Sequence, residues 1–284
     1  MKSLAKPLPG KAAKDIFREC VNDYSKKDMR TKLLKFLDGV ERCSEDYNIN
    51  IPHDIENFVH PHLSEEETTA LQNVYNNKFA KEGYVGKKYY NAIMAQAGGI
   101  CPICGTGYPA NLDHYLPKSI YSLLVVTPLN LVPSCRDCNF GKGSYLATQS
   151  IDLPLHPYFD NIRYKWLEAH IDFVNDGSFS IIYYNGLDES VDYIMKHRLD
   201  IHIKVHDLQK TFASRALTEI DSIKYRYKKM LLSASFKEFE NDLKDVCESA
   251  EIDDLNSWKS ALYRALLRQI EDYRNWLDHL KLGI

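Results

Sequence analysis

The sequence predicts a mainly helical α+β protein with a small, irregular, β-containing module at its centre. Three observations carry this expectation. Apolar residues recur at helical spacing through the N-terminal part and again from about Leu208 to Leu282. Between Ile100 and Tyr145 that periodicity gives way to short apolar runs broken by Cys, Pro, Gly and Asn. From Ala169 to Tyr184 the chain reads as a hairpin, with IDFV and FSIIYY flanking the turn Asn175-Asp176-Gly177-Ser178. Three regions follow: a helical N-terminal region (1–99), a central module (100–160), and a C-terminal region of one hairpin plus helices (161–284).

Taken in order, Ile16, Val21 and Tyr24, then Leu33, Leu34, Leu37 and Val40, predict two helices between residues 11 and 47. Prolines at Ile51-Pro52 and His60-Pro61-His62 disfavour helix in the next stretch. Ser64 followed by Glu67 is a capping box, opening a helix expected to run to about Phe79. Tyr89 to Ala97 predicts another helix, stopped by Gly98-Gly99. The C-terminal helical pattern is expected to break near Ser233 to Ser235 and near Ile252 to Asp254.

The chain has 284 residues, 44% hydrophobic and 26% charged, enough to bury a sizeable core. No apolar run approaches the ~18 residues of a membrane helix, and no secretory signal is seen at the N-terminus, so a cytoplasmic protein without membrane association is expected. A formal net charge of −3 argues against a protein that coats nucleic acid through bulk electrostatics. Any such contact must be local.

Four of the seven cysteines fall in two pairs, Cys101-Pro-Ile-Cys104 and Cys135-Arg-Asp-Cys138. Two residues between ligands let a tight turn aim both sulfurs at one tetrahedral Zn²⁺, so the pairs predict a Cys₄ zinc site. Such a site is closed to water and substrate, hence structural. Cys20, Cys43 and Cys247 read as ordinary small core residues. The gap between the pairs exceeds the ~15 to 20 residues of an ordinary zinc ribbon, which marks an insert.

The insert carries Leu112-Asp113-His114-Tyr115-Leu116-Pro117-Lys118-Ser119, and after it comes Asn130-Leu131-Val132-Pro133-Ser134-Cys135-Arg136-Asp137-Cys138-Asn139-Phe140-Gly141-Lys142-Gly143. Phosphodiester hydrolysis needs a base to deprotonate water and a cation to neutralise developing charge. His114 suits the first task because an imidazole titrates near neutral pH. Asp113 precedes it on a strand and starts on the opposite face, from which strand twist or a bend can bring its carboxylate round.

This segment resembles the HNH endonuclease family, in which a DH-x-x-P strand, an N-L-x-P strand and a C-x-x-C-N-x-x-K-G helix form a ββα-metal fold. The resemblance implies a central ββα-metal module with zinc knuckles that hydrolyses DNA to a 5′-phosphate and a 3′-hydroxyl. It implies His114 as general base, Asp113 and Asn139 as ligands of a catalytic Mg²⁺ or Mn²⁺, and Asn130 as the brace of the hairpin loop. Lys142 is expected to meet a phosphate. Asn139 stands where many members have His, a common variant. Ser134 is expected to cap the short helix, with Asp137 as its acidic partner.

Two weaker features accompany the motif. His156, in His156-Pro157-Tyr158-Phe159-Asp160, reads either as a site residue or as a packed histidine. The run Lys210 to Lys229 has six basic residues against two acidic ones and reads either as a DNA-contacting helix or as a solvated face.

The sequence therefore predicts a metal-dependent HNH endonuclease acting on DNA. Since no sequence-reading or motor element is visible, recruitment by a partner protein such as an ATPase is expected. Proteins of this kind serve as effectors in anti-phage systems such as Septu, including retron-linked ones. The alternative is a catalytically silent zinc module that binds nucleic acid or a protein.

Overall fold

The computed structural model describes residues 1–188 and 192–280. The chain is an α+β protein in two compact units, 1–161 and 162–284. The first unit contains both the expected N-terminal helical region and the central module.

The first unit begins with α1 (Ala13–Asn22), α2 (Lys27–Leu34) and α3 (Leu37–Asn50). Ile16, Phe17, Cys20, Val21, Leu33, Val40 and Tyr47 form their buried faces. The sequence predicts two helices here and the structure has three. The second break, at Lys35–Phe36, contains no Gly or Pro, so no local breaker marks it in the sequence.

The capping box at Ser64 is complete: Glu67 N–H donates to Ser64 Oγ at 3.3 Å, and Ser64 N–H donates to Glu67 Oε2 at 2.9 Å. It opens α4 (Glu65–Val74), which runs into a π-helical turn, Tyr75–Phe79, rather than continuing regularly. Such turns recur at functional sites. Next comes α5 (Lys87–Ala95), ended by Gly98 and Gly99, both at positive φ.

The central module is an antiparallel pair, β1 (Asn111–His114) and β2 (Leu131–Ser134), followed directly by α6 (Arg136–Lys142). The register sets Asn111 opposite Ser134 and His114 opposite Leu131. The expected cap is corrected. Cys135, not Ser134, is the N-cap of α6 and accepts from Cys138 N–H, while Ser134 Oγ donates to the Cys135 carbonyl.

In the second unit, β3 (Leu167–Phe173) and β4 (Phe179–Asn185) form the expected hairpin, with Gly177 at φ 89° in its turn. The inward alternation of Leu167, Ala169, Ile171, Ile181 and Tyr183 faces the helices. These are α7 (Tyr193–Val205), α8 (Leu208–Ser233), α9 (Phe236–Asp253), α10 (Trp258–Arg268) and α11 (Ile270–His279). The breaks after Ser233 and Asp253 fall where the sequence places them. The break at Gln269 has a tertiary origin: its amide donates to the Ile171 carbonyl at 2.7 Å and accepts from Ile171 N–H at 3.0 Å. No helix among the described residues is long and apolar enough to cross a membrane.

Candidate functional site

The first unit holds two chemically distinct groups of side chains, one of sulfur and one of oxygen and nitrogen. Cys101, Cys104, Cys135 and Cys138 are all buried, and their Sγ atoms lie within 4.8 Å of one another. Tetrahedral Zn²⁺ with Zn–S bonds of about 2.3 Å needs sulfurs roughly 3.8 Å apart. Cys104 and Cys135 Sγ stand at 3.8 Å. Gly107 N–H, the Thr106 hydroxyl and Cys138 N–H donate to these sulfurs at 3.3, 3.4 and 3.5 Å, which favours thiolates. Gly107 is required by close approach, because a Cβ there would lie 2.7 Å from Cys135 Cβ and 2.8 Å from Cys135 Sγ.

The cluster can hold one Zn²⁺, pinning the entry to β1 against the junction of β2 and α6. Among the described residues no other group of three or more His, Cys, Asp or Glu side chains gathers this closely. Cys20 and Cys43 differ in kind: burial pushes their thiols up to about 12 and about 11, as small apolar core residues.

The second group lines a cleft of about 300 Å³ formed by Asp113 and His114 of β1, Asn139 of α6, and Lys118, Gln72 and Tyr75. His114 is buried and its Nε2 lies 3.0 Å from the Val125 carbonyl. A carbonyl only accepts, so a neutral imidazole must carry its proton on Nε2, leaving Nδ1 as the basic nitrogen. The near-neutral titration expected of His114 is corrected: burial, with help from the Lys118 and Lys142 charges, pulls its pKa down to about 3, so the ring is neutral near pH 7. Tyr75, on the π-helical turn, fixes the ring edge-on at a centroid distance of 4.4 Å, and its hydroxyl donates to the Leu112 carbonyl at 3.2 Å.

Asp113 is buried beside Lys142, whose Nζ lies 3.2 Å from Oδ1 and 3.1 Å from Oδ2 and donates to the His114 carbonyl at 2.7 Å. Burial pushes the Asp113 carboxyl up, while the Lys142 ammonium opposes it. Lys142 does not stand at the surface to meet a phosphate, as expected from the sequence; it is 4% exposed and clasps β1 from beneath. Its place at the cleft edge is taken by Lys118, whose Nζ donates to Asn76 Oδ1 at 2.9 Å over the Tyr75 ring.

Fully buried Asn130 bridges both backbone groups of Leu116, accepting from its N–H at 2.8 Å and donating to its carbonyl at 3.1 Å. It thereby fixes the loop that follows His114. His156 does not line the cleft. It is buried between Tyr115 and Phe159, accepts from Tyr158 N–H on Nδ1, and meets the Tyr47 hydroxyl at Nε2, 3.0 Å away. That is a packed histidine.

Half of the basic run on α8 is committed to intramolecular partners. Lys224 pairs with Asp221 and Arg226 with Asp242, while buried Lys228 donates to the Asp278 and Leu280 carbonyls. Lys210, Arg215 and Lys229 stay exposed. Tyr75 and the Val125 carbonyl have no counterpart in the sequence reading. The one local hint is Asn76-Asn77, a pair of poor helix formers where α4 gives way to the π-helical turn.

No family model matches the chain, and no solved structure matches it significantly. It is similar to Protein ea31 of Escherichia phage lambda, 26% identical over 293 aligned residues that cover 94% of this chain and 98% of the phage protein.

Proposed function

We propose that this chain is a metal-dependent HNH endonuclease that hydrolyses DNA phosphodiester bonds at the cleft between β1 and α6. The observation that carries the reading is the Nε2 contact of His114 with the Val125 carbonyl, which leaves Nδ1 as the basic nitrogen of a residue lining the same cleft as Asp113 and Asn139. The β1–β2–α6 order on a four-cysteine staple supports it.

The oxygen donors suit a hard dication. A carboxylate has about four lone-pair sites, of which Lys142 takes a share, and Mg²⁺ or Mn²⁺ commonly keeps several waters beside one or two protein ligands. Asp113 and Asn139 would hold it. When bound, the ion neutralises charge on the phosphoryl and leaving oxygens.

The chain's own residues do the rest. His114 Nδ1 takes the proton of the attacking water. Tyr75 and Val125 fix the ring, Lys142 fixes the backbone beneath it, and Asn130 fixes the loop beyond. Lys118 presents its ammonium to the phosphate at the cleft edge. With a net charge of −3 and three of the six basic residues of α8 held by intramolecular partners, the chain is recruited to DNA by a partner protein rather than by its own field.

A second reading, a catalytically silent zinc module, draws on the Asp113–Lys142 ion pair, which already neutralises the carboxylate. Incubating the zinc-loaded chain with supercoiled and single-stranded circular DNA separates the two. Cleavage with Mg²⁺ or Mn²⁺ that EDTA abolishes supports the nuclease; intact DNA with both ions supports the silent module.

A further inference from the structure

Phe140 is 90% exposed, the highest value for any large hydrophobic side chain among the described residues. It lies on α6, one residue beyond Asn139. Successive helical residues turn by about 100°. Cys138 and Lys142, four apart, make the buried face of α6; Asn139 and Gly143, one step round, edge the cleft. Phe140 is one step further, and exposed Arg136, four residues before it, shares its face. The helix that borders the cleft thus offers solvent an aromatic ring and a guanidinium side by side.

We propose, resting on the nuclease reading, that Phe140 stacks on a base next to the scissile phosphate while Arg136 contacts the neighbouring phosphate. This sets the substrate class. The face of a base inside a continuous duplex is covered by its neighbours, so a ring projecting from a helix reaches it freely where a base is unpaired or extruded, and elsewhere only by unstacking a base step, which costs free energy. The preferred substrate is therefore single-stranded or locally opened DNA. The charge pattern agrees with this choice, since stacking gives affinity that does not depend on a large basic surface.

The test uses the full zinc-loaded chain. Cleavage of a duplex carrying a short unpaired bubble is compared with that of the same fully paired duplex, for wild type, Phe140→Ala and Phe140→Trp. Wild type is expected to prefer the bubble by about tenfold, a loss of stacking in Phe140→Ala to remove that preference mainly through KM, and Phe140→Trp to restore it. Equal wild-type rates on both substrates, or a preference that survives in Phe140→Ala, would overturn the inference while leaving the nuclease reading standing. A binding measurement keeps the two separable. Fluorescence of 2-aminopurine in the bubble should be quenched by His114→Ala protein and not by the His114→Ala/Phe140→Ala double variant. The same signal from both variants overturns the stacking role whatever the cleavage results, and capture of a protein in place of DNA by this face does so too.

Discussion

Lys142 Nζ sits between the two carboxylate oxygens of Asp113, at 3.2 and 3.1 Å, and donates to the His114 carbonyl at 2.7 Å. One ammonium, projecting inward from α6, therefore holds both residues of the Asp-His pair on β1. Neither partner is solvated: their side chains are 2% and 8% exposed. Removing one end of such a pair leaves an uncompensated buried charge.

Lys142→Met is accordingly expected to destabilise the first unit by about 3–5 kcal/mol, read by chemical denaturation. Asp113→Asn/Lys142→Met should recover part of that loss, because no lone charge remains. A single variant as stable as wild type would show that the ion pair contributes nothing to the fold.

The zinc site makes a steric prediction distinct from ligand loss. Gly107→Ala keeps all four cysteines yet forces a Cβ to within 2.8 Å of Cys135 Sγ. It should purify with less than one zinc per chain, as should Cys101→Ser and Cys138→Ser, and each should unfold more readily. Zinc content by elemental analysis decides. A metal-free Cys138→Ser protein that is folded and stable would remove the staple.

Asn130→Ala exposes a different dependence. It leaves both the N–H and the carbonyl of Leu116 without their partner in a fully buried site, costing about 1–3 kcal/mol for each unsatisfied group. Because that loop follows His114, cleavage should fall more steeply than stability at a temperature where the variant is folded. Unaltered cleavage would confine Asn130 to a stability role.

Few cations are available for phosphates near the cleft, chiefly Lys118 and Arg136. Two neutralised phosphates give a slope of log K against log salt of about −2 and weak affinity without a partner. Anisotropy across salt concentrations measures both, and nanomolar binding of plain duplex at physiological salt would contradict recruitment. Reversing Lys210, Arg215 and Lys229 then tests the exposed cations of α8.

Much of the candidate site is legible in the sequence because its signals are local. Cys101 with Cys104, and Cys135 with Cys138, carry ligand spacing within one turn each, and Ser64 with Glu67 carries a cap within four residues. The inward turn of Lys142 is also readable in principle, since it lies four residues from Cys138 and so shares its buried helical face. The hydrophilic side chain hides that signal. The remainder is written in tertiary contacts. Tyr75 reaches His114 from a π-helical turn far away in sequence, the His114 tautomer is set by a backbone carbonyl that could belong to any residue, and the break at Gln269 answers to Ile171 on another element.

The most direct test of the base assignment is chemical rescue at His114. With Mg²⁺ or Mn²⁺ present, His114→Gly should retain its zinc and its circular-dichroism spectrum, cut DNA about two to four orders of magnitude more slowly, and regain part of the lost rate when free imidazole is added. Cleavage by His114→Gly at the wild-type rate, with or without imidazole, would contradict the assignment and move the active site elsewhere.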